Sequence, residues 1–361
     1  MKNYEIDSLD VKALKIPLSH PFTISLGGVS EAESLIVKVR LRNGIEGFGE
    51  ASPFAGITGE SIFETRKTIL QLFSNIAGLP VTRWRYLSDL MTEKAGDKPA
   101  ARCALETAVL DALCRSAGIP LWAFLGGASQ GPFETDITIP ILGKEQMIAM
   151  SDHWQSRGFL TQKIKVGIDL EEELAVIDEI HKRHPNIRFI IDANQGFTVD
   201  ESILFIKEVS GFGCEVLLFE QPVPREDLGG MAEIRRQISV PIAADESVYS
   251  VSDLEKVIEQ RAADCINLKI MKSGLIHTLD IARVAASKGL RLMIGGMVET
   301  RLAMGCSLCI ASGLGTVRYL DLDTPLFMVE DYFRGGYIYD GPNLILSPEP
   351  GLGIEPVDFL F

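Results

Sequence analysis

The chain has 361 residues, is 46% hydrophobic and 23% charged, and carries 35 Lys and Arg against 49 Asp and Glu, a net charge of −14. Such a composition excludes a disordered or fibrous chain, and the length suits one large domain or two. The acid surplus repels phosphate backbones and anionic membrane surfaces, which argues against nucleic acid and membrane as partners.

The apolar stretch Leu302 to Val317 has 16 residues and three glycines, short of the roughly 20 residues that span a bilayer. The opening MKNYEIDSLD has acids where a secretory signal has an apolar core, so the expected location is cytoplasmic. Six scattered cysteines make no disulfide framework. Cys306 and Cys309 form a CxxC inside the apolar helical pattern LAMGCSLCIASG and are expected as buried thiols.

Along the chain, the first 50 residues alternate as strands do, with Asn43-Gly44 as a turn signal inside SLIVKVRLRNGIEGFGEA. Apolar residues three and four apart in ESIFETRKTILQLF and ARCALETAVLDALCRSAG predict helices. Residues 1–125 thus form an α+β unit. The break LGGASQGP, starting at Leu125, marks a domain boundary. Beyond it, helical patterns alternate with eight strand-like runs: ETDITIPI, TQKIKVG, IRFIIDAN, EVLLFEQ, PIAADES, CINLKI, LRLMIGG and RYLDLD.

The residues near the ends of these runs, Thr138, Lys165, Asp192, Glu220, Asp245, Lys269, Gly296 and Asp321, recur every 24 to 28 positions. Eight such βα units predict a closed α/β barrel over residues 126–325 rather than a doubly wound sheet. The tail, residues 326–361, is long enough to return to the first unit.

Active sites of such barrels lie at the C-terminal ends of the strands. Asp192, Glu220 and Asp245 end the third, fourth and fifth runs, which are neighbours in the ring. One acid alone would be expected to cap a helix, but three at near-equal spacing can converge, and hard oxygen ligands without histidine favour Mg²⁺ or Mn²⁺. Lys163 and Lys165 share one face of a strand, the barrel interior, where mutual proximity should lower the pKa of one of them. Lys269 ends the sixth run, opposite the second. Three lysines balance three acids, so a divalent cation leaves about two positive charges, suited to a carboxylate substrate that loses its α-proton to form an enediolate. Opposed bases suggest racemisation or epimerisation without excluding elimination.

These motifs, KIK, IDAN, FEQP, ADES and NLKIMKSG, resemble the muconate lactonizing enzyme subgroup of the enolase superfamily, a superfamily whose lysine and Mg²⁺ chemistry is a known pattern. The resemblance implies a modified (β/α)7β TIM-type barrel with an N-terminal α+β capping domain. It further implies one Mg²⁺ on Asp192, Glu220 and Asp245, acid/base roles for Lys165 and Lys269, and a place for Lys163 beside the substrate carboxylate.

Asp321-Leu322-Asp323 puts two more acids on one face, which by spacing alone could cap a helix or meet Arg318. The pair is similar to the Asp-x-Asp that holds the substrate ammonium in dipeptide epimerases. Thr138, Gly296 and Met297 match positions that line the substrate backbone there. In the Ala-Glu epimerases an Arg precedes the glycine of the first capping-domain loop. Here, in PFTISLGG, that position is Leu26; a second loop is ITGE, Ile57 to Glu60. Leu26 cannot neutralise a substrate carboxylate.

The resemblance therefore implies an isomerase, a Mg²⁺-dependent epimerase of small or hydrophobic dipeptides of the Ala-Ala or Ala-Val type. Two lysines would carry out 1,1-proton transfer at the C-terminal residue through a metal-stabilised enediolate. The alternatives are o-succinylbenzoate synthase or N-acylamino acid racemase chemistry, which would leave Asp321 and Asp323 without an ammonium, or an L-Ala-D/L-Glu epimerase. A non-catalytic barrel should have lost a base or a ligand, and none of the six is missing. A metal-dependent hydrolase would need its five histidines at the strand ends, where none falls. The expected partner is a small dipeptide, and a homo-oligomer is compatible with the sequence.

Overall fold

Gly47 and Gly49 decide how the N-terminal unit packs. A Cβ at either would stand within 2.2 Å of the Ala108 or Ala104 carbonyl oxygen, so only glycine lets a helix backbone lie directly on this strand. That helix, α4 (Pro99–Ala117), is buried on all sides from Ala100 to Cys114, which its small side chains permit.

The computed structural model describes residues 2–96, 98–127, 129–357 and 360–361. Ala128, within the expected boundary, and Asp358 and Phe359 of the tail lie outside them. The unit is an antiparallel sheet of β1 (Ile6–Ile24), β2 (Gly27–Leu41) and β3 (Glu46–Ala51). It is covered by α1 (Ala55–Thr58), α2 (Ile62–Ile76), α3 (Trp84–Ala95) and α4. Helix α2 starts on a capping box between Ser61 and Glu64, which satisfies two otherwise orphaned N–H groups. The sequence around Ser25, expected as a loop, is the tip of a hairpin, paired through Phe22–Val29, Thr23–Gly28 and Ile24–Gly27.

After the short α5 (Leu121–Phe124) and β4 (Phe133–Glu134), the eight strand-like runs become β5 (Ile137–Ile139), β6 (Thr161–Lys165), β7 (Arg188–Asp192), β8 (Glu215–Glu220), β9 (Ile242–Ala244), β10 (Cys265–Leu268), β11 (Arg291–Ile294) and β12 (Val317–Leu320). They form one parallel sheet in that order. A parallel bridge between Thr135 and Leu320 and the bond from Asp136 N to Leu320 O (2.9 Å) join its two ends. Helices connect each strand to the next and the helix Arg301–Leu314 leads into β12, which gives the modified TIM barrel. Cys306 and Cys309 are free, buried thiols of that helix.

The two units are clamped by Glu50 at the end of β3. Its carboxylate accepts from Ser34 Oγ (2.6 Å), Thr300 N (3.0 Å), Thr300 Oγ1 (2.6 Å) and Ala303 N (3.1 Å), so a capping-domain acid caps a barrel helix. The tail strands β13 (Phe333–Gly335), β14 (Tyr337–Asp340), β15 (Asn343–Leu346) and β16 (Ile354–Pro356) run back to α4, where Asp111 accepts from Leu352 N (2.6 Å) and Arg115 pairs with Glu355. No helix among the described residues is long and apolar enough to cross a membrane.

Candidate active site

At the C-terminal strand ends, Lys163 and Lys165 project inward from β6 because residues two apart share a face. Both are buried. Lys163 Nζ stands 2.9 Å from Asp192 Oδ2, 2.8 Å from Glu220 Oε2 and 2.8 Å from Asp321 Oδ2. Lys165 Nζ lies 2.6 Å from Asp192 Oδ2 and 3.2 Å from Asn194 Oδ1. Across the ring, Lys269 Nζ is 2.8 Å from Asp245 Oδ2, and Lys272, one helical turn on, also binds Asp245.

At Lys163 the nearby second ammonium does not lower the pKa. Burial pulls Lys163 down, but Asp192, Asp321 and Glu220 together hold its ammonium well above the usual lysine value. Lys269 behaves alike: burial and Lys163 lower it, and Asp245, Glu220 and Glu246 together outweigh them. Each ammonium sits in a nest of acids, and opposite charge at contact distance outweighs like charge further away.

The balance of three lysines against three acids also changes. The buried acids Asp136, Asp192, Glu220, Asp245, Glu246, Glu299, Asp321 and Asp323 surround the buried lysines 163, 165, 269 and 272. Asp192 is held down to about 2: burial opposes ionisation, and Lys163 and Lys165 overcome it. Glu220 is pushed up to about 7 and Glu246 to about 8, by burial first and then by neighbouring carboxylates. Glu246 Oε2 has no hydrogen-bond donor, and Glu220 Oε2 and Asp245 Oδ2 accept no well-directed bond despite their lysine neighbours. A surplus of buried, hard oxygen donors with unused lone pairs fits a divalent cation on Asp192, Glu220 and Asp245. These three are nevertheless not the tightest acid group. Among the described residues, the trio whose oxygens all approach within 4.8 Å is Asp136, Asp321 and Asp323, because the strand-end acids each face a lysine instead of one another.

Above the lysines lies a narrow cavity of about 40 Å³ between barrel and capping domain. Lys165, Asn194, Lys269, Thr138, Asp321 and Thr324 form its polar side, and Phe22, Ile24, Phe54, Ile57, Gly296, Met297 and Val298 the rest. A Cβ at Gly296 would stand 2.5 Å from Met304 Cε and 3.0 Å from Glu299 Oε1, so a larger residue here would displace the Met304 side chain. An outer basin of about 640 Å³ adjoins through Phe54, Met297 and Val298. Leu26 lies there, 42% exposed; from the same hairpin it is Ile24, 6% exposed, that reaches the inner cavity. Asp323 is fully buried and accepts the backbone N–H of Thr138.

The pattern of the mandelate racemase / muconate lactonizing enzyme N-terminal domain matches residues 8–126, and that of the enolase C-terminal domain-like family matches residues 146–359. The chain belongs to this family of the enolase superfamily. It is 38% identical over 97% of its length to an aromatic dipeptide epimerase of Herpetosiphon aurantiacus, 98% of which is covered. A hydrophobic dipeptide epimerase of Citrifermentans bemidjiense is 34% identical, with 98% of each chain covered. The dipeptide epimerase of Enterococcus faecalis, solved with Mg and L-Leu-L-Tyr, superposes with a TM-score of 0.94 at 32% identity over 97% of this chain and 99% of that one. Like these relatives, the chain is an isomerase.

Sequence reasoning passed over Asn194, Glu246, Asn267 and Lys272, although each stands within a quoted motif. Asn194 shares a face with Asp192, Asn267 Nδ2 donates to Glu220 Oε1 (2.6 Å), and Asn194 Nδ2 donates to Glu246 Oε1 (3.2 Å). Positive φ at Asn194 (40°) and Gln221 (34°) marks backbone bent to aim these strand ends.

Proposed function

We propose that the chain is a Mg²⁺-dependent dipeptide epimerase that inverts the α-carbon of the C-terminal residue of small or hydrophobic dipeptides such as Ala-Ala and Ala-Val. The observation that carries this reading is the pairing of Lys165 and Lys269, on strands four apart in a ring of eight, at one cavity. One lysine takes the α-proton from one face of the substrate and the other returns a proton to the opposite face. Asp192, Glu220 and Asp245 would hold the ion. Mg²⁺, when bound, supplies positive charge that acidifies the α-proton and offsets the negative charge of the acids around the two lysines.

Asp321, which lines the cavity, and Asp323 beside it would receive the N-terminal ammonium. The apolar side, Phe22, Ile24, Phe54, Ile57, Met297 and Val298, would take the C-terminal side chain; a substrate carboxylate placed there would lose its hydration with no cation to replace it. The E. faecalis relative's Mg and L-Leu-L-Tyr support the same assignment.

The test is α-deuterium uptake in D₂O, read by mass spectrometry, with the protein in Mg²⁺ or in EDTA. The expected result is Mg²⁺-dependent uptake by Ala-Ala, Ala-Val and other apolar dipeptides. Uptake by N-acylamino acids but by no dipeptide would overturn the reaction, and a kcat/KM for L-Ala-L-Glu well above that for Ala-Ala would overturn the specificity.

A further inference from the structure

Asp136 is one of the buried acids that the mechanism above leaves unused. It lies two residues before Thr138, hence on the same inward face of the chain, and is 2% exposed. Both of its carboxylate oxygens are shut off from solvent and have no hydrogen-bond donor. A bare buried carboxylate is among the costlier features a fold can carry. A cavity of about 160 Å³ at the base of the barrel reaches this residue from below, yet leaves both oxygens covered.

Its neighbours are the two acids of the proposed ammonium subsite. One oxygen each from Asp136, Asp321 and Asp323 lie within 4.8 Å of one another. Asp323 Oδ1 is likewise without a donor, while Asp323 Oδ2 accepts from Thr138 N and Asp321 Oδ2 from Lys163 Nζ. A protonated amine has three N–H groups, and three acceptors set at roughly 2.8 Å around a tetrahedral nitrogen lie about 4.6 Å apart. The trio therefore has the spacing, the charge and the unused lone pairs for one primary ammonium.

We propose that Asp136 is a third carboxylate of the ammonium subsite, so that the substrate's N-terminal ammonium donates one N–H to each of Asp136, Asp321 and Asp323. This deepens the dipeptide reading and rests on it. The tripod selects a free primary amine: an acylated nitrogen brings one N–H and no charge, and would leave two of the three acids unpaired in the dry interior.

The experiment compares wild type with Asp136→Asn on L-Ala-L-Val and on N-propionyl-L-valine, its counterpart lacking the amine, the latter as an inhibitor. The expected result is a KM for Ala-Val raised roughly tenfold to hundredfold with the Ki of N-propionyl-valine unchanged. Burial and the neighbouring Asp321 and Asp323 already disfavour an ionised Asp136, so the near-isosteric amide should leave Tm unlowered. KM and Ki moving together, or neither moving, overturns the proposal, since a structural role would affect both ligands alike. If the wild type exchanges no α-proton of Ala-Val, the dipeptide reading itself fails; an active wild type matched by an equally active variant sinks the third carboxylate alone.

Discussion

Lys163 Nζ and Asp321 Oδ2, 2.8 Å apart and both buried, join the strand-end acids to the acid pair after β12. One ammonium thus ties Asp192, Glu220 and Asp321, from three strands, into one network. Lys163→Met would leave these carboxylates facing one another in the interior. The expected cost is about 3–5 kcal/mol of stability, read as a lower urea midpoint with unchanged slope; a midpoint within error of wild type would show that the acids do not depend on this lysine.

Lys165 and Lys269 are expected to act on opposite faces of the α-carbon. Lys165→Ala and Lys269→Ala should each lower the kcat of epimerisation by about 10²–10⁴-fold. In D₂O each variant should still exchange the α-proton of one stereoisomer, a different one for each. Loss of exchange from the same stereoisomer in both would contradict the two-base arrangement.

Glu299 predicts a pH dependence. Its buried carboxyl is pushed up to about 8, by burial first, against the N–H of Met297 and with help from Glu50. A carboxyl near 4.5 unfolded and near 8 folded keeps its proton in the native state, so its contribution to stability is full below pH 4.5 and declines as pH rises to about 8. Glu299→Gln keeps the acceptor for Met297 N–H and removes the titration. The variant should gain stability relative to wild type between pH 5 and pH 8, measured by urea denaturation, and an equal pH slope in both proteins would refute the assignment.

Ile24 and Leu26 separate two positions on one hairpin. Ile24→Arg brings a cation into the inner cavity and should lower kcat/KM for Ala-Val roughly tenfold or more while raising that for Ala-Glu. Leu26→Arg, at the rim of the outer basin, should change the ratio less. A larger shift from Leu26→Arg would put the side-chain subsite in the outer basin.

The sequence by itself determined the order of elements and which ionisable residues end the strands, because both are periodic along the chain. A βα unit every 24 to 28 residues fixes which side chains meet at one rim, whatever the details of packing. The lysine pair KIK faces inward by strand alternation alone, and Asp192, Glu220 and Asp245 follow from the same register.

The tertiary structure decided what depends on partners distant in sequence. Asp136 is one acid in a strand-like run until β5 closes against β12, which places it beside Asp321 and Asp323, 185 residues or more along the chain. The charge of Lys163 depends on acids from three other strands, which the local pattern KIK does not contain. Ile24 rather than Leu26 enters the cavity because hairpin pairing sets which residue faces the barrel and which remains at the turn. Electrostatics and side-chain access are properties of the three-dimensional neighbourhood, and in a closed barrel that neighbourhood is assembled from every part of the chain.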